Sequence, residues 1–133
     1  MLRFDFNKII RHKLPARMEK EGVFVHKEAL NETEYLEKLK LKLLEEAEEV
    51  LSATELGEIH RELADILEVI HAIAEATDQT IAGIESERLK KREANGYFSS
   101  DNYVHYIEVP KENQAIIDYL QDRKRPYKFS DFK

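Results

Sequence analysis

Apolar residues recur in threes and fours over two long stretches of the chain, the spacing of one helix face. In the first, Leu36, Leu39, Leu43, Ala47 and Val50 form the stripe. Asn31-Glu32-Thr33-Glu34 just ahead has the spacing of a capping box, so a helix is predicted from an Asn31 cap to about Ser52. In the second, Ile59, Leu63, Ile66, Ile70 and Ile73 form the stripe of a helix over about residues 55–76, with Thr54 as its expected cap. Thr77-Asp78-Gln79-Thr80 breaks the pattern, and Asp78 or Thr80 should cap a third helix over about 81–94, stopped at Asn95-Gly96. Before these, Pro15 opens and Gly22 ends a short helix over about 15–20, and Val23-Phe24-Val25 reads as extended. After them, residues 103–109 (YVHYIEV) have the composition of a strand that Pro110 ends. Residues 111–124 fit a more polar helix holding Ile116, Ile117 and Leu120, and the tail is expected to be anchored only through Tyr127, Phe129 and Phe132. The expected fold is all-α, a helical bundle with an antiparallel central helix pair plus a short C-terminal strand or hairpin region, in a single domain of residues 1–133.

Charge changes this picture at the central pair. Glu46 and Glu49 on the first long helix, and Glu62 and Asp65 on the second, are acidic pairs at i, i+3, each beside a buried stripe. Asp and Glu make up 27 of the 133 residues, so roughly five such pairs arise by chance and one alone carries no signal. Two of them on consecutive helices joined by a turn are a narrower coincidence: four carboxylates can point into one groove. Like charges that close call for a cation, and an all-oxygen set without His or Cys suits Mg²⁺, or Mn²⁺ in its place, rather than zinc. A solvated acidic surface stands as the other reading of the same spacing. Glu45 and Glu48 should point further out into water. Val69, Ala72 and Ala76 continue the carboxylate face of the second helix, either as a wall for a flat ligand or as a close helix contact. Lys42 can bind phosphate or pair with Glu46 and Glu49, and the pair is the expectation. Lys8, Arg11 and Lys13 near the N-terminus, and Lys91 and Arg92 at the end of the third helix, either grip an anion or are ordinary solvated cations.

Composition closes several alternatives. The formal net charge of −6 argues against nucleic acid or an anionic membrane as partner. There is no cysteine, hence no disulfide framework or thiolate chemistry. The charged start MLRFDFNKIIRHK does not resemble a signal segment, and no apolar run reaches membrane-spanning length, so a cytoplasmic location is expected. The His residues have no zinc spacing, and Glu68-Val69-Ile70-His71 is one Glu-x-x-His where a di-iron bundle needs two. No Walker loop, dinucleotide fingerprint or nucleophile elbow is present. Leu41 and Leu44 flank the first stripe, while Leu67 and Ala74 broaden the second, so both helices are apolar over a wide arc and a homodimer or tetramer is expected.

Three motifs in order carry a resemblance. Residues 42–49 (KLLEEAEE) followed by Glu62-Leu63-Ala64-Asp65 resemble the E-E-x-x-E … E-x-x-D signature of the all-α NTP pyrophosphatases, the MazG-like and phosphoribosyl-ATP pyrophosphohydrolase-like proteins. Residues 7–15 (NKIIRHKLP) are similar to the N-K-L-V-R-D-K-I-P start of a MazG-like subgroup, and residues 91–98 (KREANGYF) to its K-R-E-x-R-G-G-F end. The chain departs from that subgroup with His12 for Asp, Asn95 for Arg and Tyr97 for Gly, positions at which substrate choice can differ. The resemblance implies hydrolysis of a nucleoside triphosphate between its α and β phosphates, including house-cleaning of non-canonical nucleotides. It implies Mg²⁺ held by Glu46, Glu49, Glu62 and Asp65, and subunits assembled as an oligomer. Within it, Glu45 is the expected general base, and Lys8, Arg11, Lys13, Lys91 and Arg92 the expected phosphate grips. The alternatives are hydrolysis of phosphoribosyl-ATP and a helical interaction module without catalysis. Residues beyond Ser99 lie outside the resemblance and are given no catalytic role.

Overall fold

The structure is a computed structural model that describes residues 1–122; Tyr127, Phe129 and Phe132 lie outside the described residues. It contains α1 (Leu14–Lys20), α2 (Glu32–Ser52), α3 (Leu56–Ala76), α4 (Ile81–Asn95) and α5 (Gln114–Gln121). Met1–Asn95 form one compact unit and Gly96–Lys133 a second, a division close to residue 98, where the last of the three motifs ends. No helix among the described residues is long and apolar enough to cross a membrane.

Local chemistry sets the helix ends. Gly22 takes φ +84° after α1, and Gly22 N–H donates to the Glu19 carbonyl while Val23 N–H donates to that of Met18. These are the paired bonds of a Schellman motif. Asn31 caps α2 as expected: its side-chain oxygen accepts from Glu34 N–H at 2.9 Å, and its amide also reaches the Glu34 carboxylate. The start of α3 differs from expectation. Its N-cap is Glu55, which makes no side-chain capping bond, and Thr54 lies one residue outside. At the other end Asp78 adopts φ +54° and closes α3, with Asp78 N–H donating to Glu75 and Gln79 N–H to Ala74. Thr80, accepting from Gly83 N–H at 3.0 Å, is the residue that caps α4. Asn113 caps α5 through Ile116 N–H, which makes that helix shorter than the expected 111–124.

The main packing in the first unit is α2 against α3. Each has 21 residues and is therefore about 31 Å long, whereas the three residues between them span at most about 11 Å. Packing along their length then requires an antiparallel pair. The register follows from the turn: Glu46 lies six residues before the end of α2 and Glu62 six after the start of α3, while Leu39 and Val69 lie thirteen from it. Leu39, Val69 and Ala74 are the buried apolar side chains of these two helices, and Glu46 is the buried polar one.

Burial follows most of the expected stripes: Leu39 is buried and Leu36, Leu43, Val50, Ile59, Ile66, Ile70 and Ile73 are half-buried, whereas Ala47 and Leu63 are exposed. Val69, on the face that Glu62 and Asp65 share, is buried as well. Leu41, Leu44 and Leu67 each leave more than half of their surface in water. Residues 103–109 form no strand, and no strand occurs among the described residues. A ladder needs a partner segment, and β-prone composition alone does not supply one.

A candidate metal centre between two helices

The packing of α3 against α2 brings the carboxylates together. One oxygen each from Glu45, Glu46 and Glu49 lie within 4.8 Å of one another, as do one each from Glu46, Glu62 and Asp65. Glu46 belongs to both groups, so the five residues form one continuous cluster. Oxygens around an octahedral Mg²⁺ are about 2.9–4.2 Å apart, so either group can close on such an ion with small side-chain adjustments. An adjoining cleft of about 410 Å³ is lined by Glu45, Glu48, Glu49, Glu58 and Glu62 together with Ser52 and Ala53 from the end of α2.

Burial gives this cluster its character. Glu46 is only 6% exposed, and its Oε2 and the Oε2 of Glu62 are buried without a hydrogen-bond partner among the described residues. A buried polar atom left unbonded costs about 1–3 kcal/mol, more when charged. Two such oxygens in one carboxylate cluster are what a hard cation would satisfy, and carboxylates alone are the donor set it prefers. Glu49 is more exposed, yet its carboxyl is raised above the ordinary glutamate range. The first cause is a hydrogen bond shared with Glu62, followed by burial and the Glu62 charge. A raised Glu49 pKa is the cation-free response to the same crowding of like charges.

Cations of the chain enter the cluster from two directions. Lys42, one turn before Glu46 on α2, donates to Glu45 Oε2 at 3.2 Å and contacts Glu46 Oε1 at 3.3 Å. The expected pairing of Lys42 is therefore present, with Glu45 in place of Glu49. Burial acts to lower the Lys42 pKa, but its bonds to Glu45 and Glu46 outweigh this and hold it above the ordinary lysine value. From the segment ahead of α1, Lys8 donates to Glu45 Oε1 at 2.8 Å and Arg11 to Asp65 Oδ1 at 2.7 Å. Glu45 is accordingly not a solvated outer residue but half-buried beneath two lysines. Burial would raise its pKa, and the bonds from Lys8 and Lys42 lower it below the usual carboxylate range.

The remaining cations stand elsewhere. Lys13 lines a separate basic cleft of about 450 Å³ with His12, Arg17 and Lys20. Lys91 and Arg92 are exposed near the end of α4, a helix that buries no residue, and no α4 residue lines the acidic cleft. Ala72 is half-buried and Ala76 exposed, while Ala74 between them is buried. The partners of Lys8 and Arg11 are what sequence reasoning missed. Their basic character was visible, but nothing in the local pattern pointed to carboxylates on other helices.

No protein-family model matches the chain, and no curated protein or solved structure matches it either.

Proposed function

We propose that this chain is a Mg²⁺-dependent nucleoside triphosphate pyrophosphohydrolase of MazG-like type, cleaving between the α and β phosphates to release a monophosphate and pyrophosphate. The observation that carries the reading is the pair of buried oxygens without donors, on Glu46 and Glu62, inside a cluster of five carboxylates that meets at Glu46. The three motifs, with the acidic ones on an antiparallel pair, add the resemblance to it.

Glu46, Glu49, Glu62 and Asp65 would hold the Mg²⁺, for which Mn²⁺ can substitute. Once bound, a divalent cation neutralises phosphate oxygens and acidifies a water. Lys42, anchored within α2, keeps Glu45 and Glu46 oriented toward the cleft. Glu45 is the proposed acceptor of the proton that water gives up as it adds to phosphorus and the bridging P–O bond breaks. Lys8 and Arg11, which already reach the cluster, are the proposed grips on the phosphates, where fixed positive charge stabilises the developing negative charge; for Lys13, Lys91 and Arg92, which stand elsewhere, that role rests on the resemblance alone.

The exposed Leu41, Leu44, Leu63 and Leu67 on the outer faces of α2 and α3 support self-association as a homodimer or tetramer. They would serve equally a non-catalytic interaction module, the second reading. A panel of nucleoside triphosphates and phosphoribosyl-ATP, assayed for pyrophosphate release with Mg²⁺ and with EDTA, separates the two. Magnesium-dependent release from any nucleotide supports the enzyme. Absence of both cleavage and divalent-cation binding leaves the interaction module.

A further inference from the structure

The carboxylate cluster described above already holds cations, and they come from the chain itself. Each carboxylate group has one member engaged by the segment ahead of α1: Glu45 by Lys8 at 2.8 Å and Asp65 by Arg11 at 2.7 Å. We propose that this N-terminal segment is a built-in competitor for the divalent cation, with Lys8 and Arg11 serving as counter-ions of the cation-free cleft and leaving it when the metal binds. The proposal rests on the reading of the cleft as a cation site.

Three features separate these two residues from an ordinary surface ion pair. The first is where they bind. Asp65, held by Arg11, is one of the carboxylates proposed for the metal and cannot fully serve a guanidinium and a divalent ion together, while Glu45, held by Lys8, shares a group with Glu46 and Glu49 and so places an ammonium beside the ion. Like charges brought together also repel, so a divalent ion entering beside Lys8 and Arg11 weakens their hold.

The second feature is how the segment is held. Among the described residues no backbone hydrogen bond anchors residues 1–10, and the first in this region runs from Leu14 N–H to the Arg11 carbonyl. Ile9 and Ile10 are half-buried, while Lys8 and Arg11 keep about half of their side-chain surface in water. Such exposed pairs are individually weak. The segment can therefore detach at these two points without unfolding a helix.

The third is the contrast with Lys42. It contacts the same Glu45 but belongs to α2, is largely buried, and pairs within its own helix. Lys42 is a fixed part of the site, whereas Lys8 and Arg11 are removable. Once released, they become available to the phosphates that a nucleotide brings with its cation, so one pair of side chains serves two occupants in turn.

The experiment follows Mg²⁺ binding by NMR, reading backbone amides of α2 and α3 and the side-chain nitrogens of Lys8 and Arg11. In the wild-type protein the Lys8 and Arg11 signals should lose their ion-paired positions along the same titration curve as the amides around Glu46 and Glu62. The variant Lys8→Ala with Arg11→Ala should bind Mg²⁺ roughly five- to tenfold more tightly, as loss of two competing exposed pairs implies. A charge-matched variant, Lys20→Ala with Lys27→Ala, should stay within about twofold of wild type, since both residues are exposed and distance and salt screen them. If the helix amides respond while Lys8 and Arg11 do not move, and both double variants bind like wild type, the cation site stands and the competitor is overturned. If no amide responds in any of the proteins, the cation site fails and the competitor with it.

Discussion

The α2–α3 pair and α4 are both helices rich in charge, yet they use it in opposite ways. On α4, Glu85 and Arg88 satisfy each other across one turn, with Nε to Oε2 at 2.8 Å, and both are about half exposed. The pairing lowers the Glu85 pKa and raises that of Arg88, and it closes the account locally. On α2 Lys42 also pairs with Glu45 and Glu46 across one turn, but Glu46 is buried beside Leu39 and Val69 in the core, and two oxygens, one on Glu46 and one on Glu62, are left without donors. Further partners come from a distance, from Lys8 and Arg11 or from an ion. Charge density is similar in the two regions; burial makes one of them a candidate site and leaves the other an ordinary surface.

This contrast can be broken at α4. If the end of α4 does more than decorate a surface, replacing Lys91 and Arg92 together by Ala should lower kcat/KM for a nucleotide about tenfold, equivalent to about 1.4 kcal/mol of lost stabilisation, and leave Mg²⁺ affinity unchanged. Steady-state kinetics paired with a metal titration checks both halves. A double variant with wild-type kcat/KM would return these residues to the solvated class that Glu85 and Arg88 occupy.

A smaller effect sharpens the contrast at the cleft. The folded protein holds the Glu49 proton more tightly than the unfolded chain, because the Glu49 pKa is raised above the ordinary 4.5. In EDTA this contribution is fully present below 4.5 and is lost as pH rises through the folded value. Glu45 has the opposite sign: its pKa is lowered, so its contribution is present above 4.5 and is lost as pH falls through the folded value. The two lie on opposite sides of the ordinary glutamate value and separate in a pH series of thermal melts. The Glu49→Gln variant should lose the decline on the upper side and keep that on the lower side. Mg²⁺ should also flatten the upper side in wild type, by favouring the ionised carboxylates.

Much of the helical frame was legible because local chemistry fixes it. Asn31 and Glu34 announce a cap within four residues, and Gly22 and Gly96, both at positive φ, announce stops. The acidic pairs were legible as well, since i, i+3 spacing places them on one face whatever they do. The exposure of Leu63 was not: it sits on the same apolar stripe as Ile59 and Ile66, which are half-buried, and only packing against α2 decides between them. The partners of Lys8 and Arg11 lie 37 and 54 residues away, beyond any local pattern. Residues 103–109 misled for a related reason: strand propensity describes a surface waiting for a partner, and none is present among the described residues.

The central claim, that the carboxylates between α2 and α3 form a site for a divalent cation, is tested most directly by thermal melting with EDTA and with Mg²⁺. Mg²⁺ binds the folded cleft and not the unfolded chain, so tenfold excess over Kd should add about 1.4 kcal/mol, roughly 4–6 °C in Tm for a chain of this size. Glu62→Gln keeps the shape and removes one charge. In EDTA it should melt no lower than wild type, because repulsion is relieved, and in Mg²⁺ it should gain markedly less, because a neutral amide is a poor ligand for a hard cation. Glu75→Gln, on an exposed position of the same helix, should behave as wild type in both conditions. Glu62 and Glu75 variants that cannot be told apart would contradict the claim, and the proposal of a Mg²⁺-dependent enzyme would fall with it.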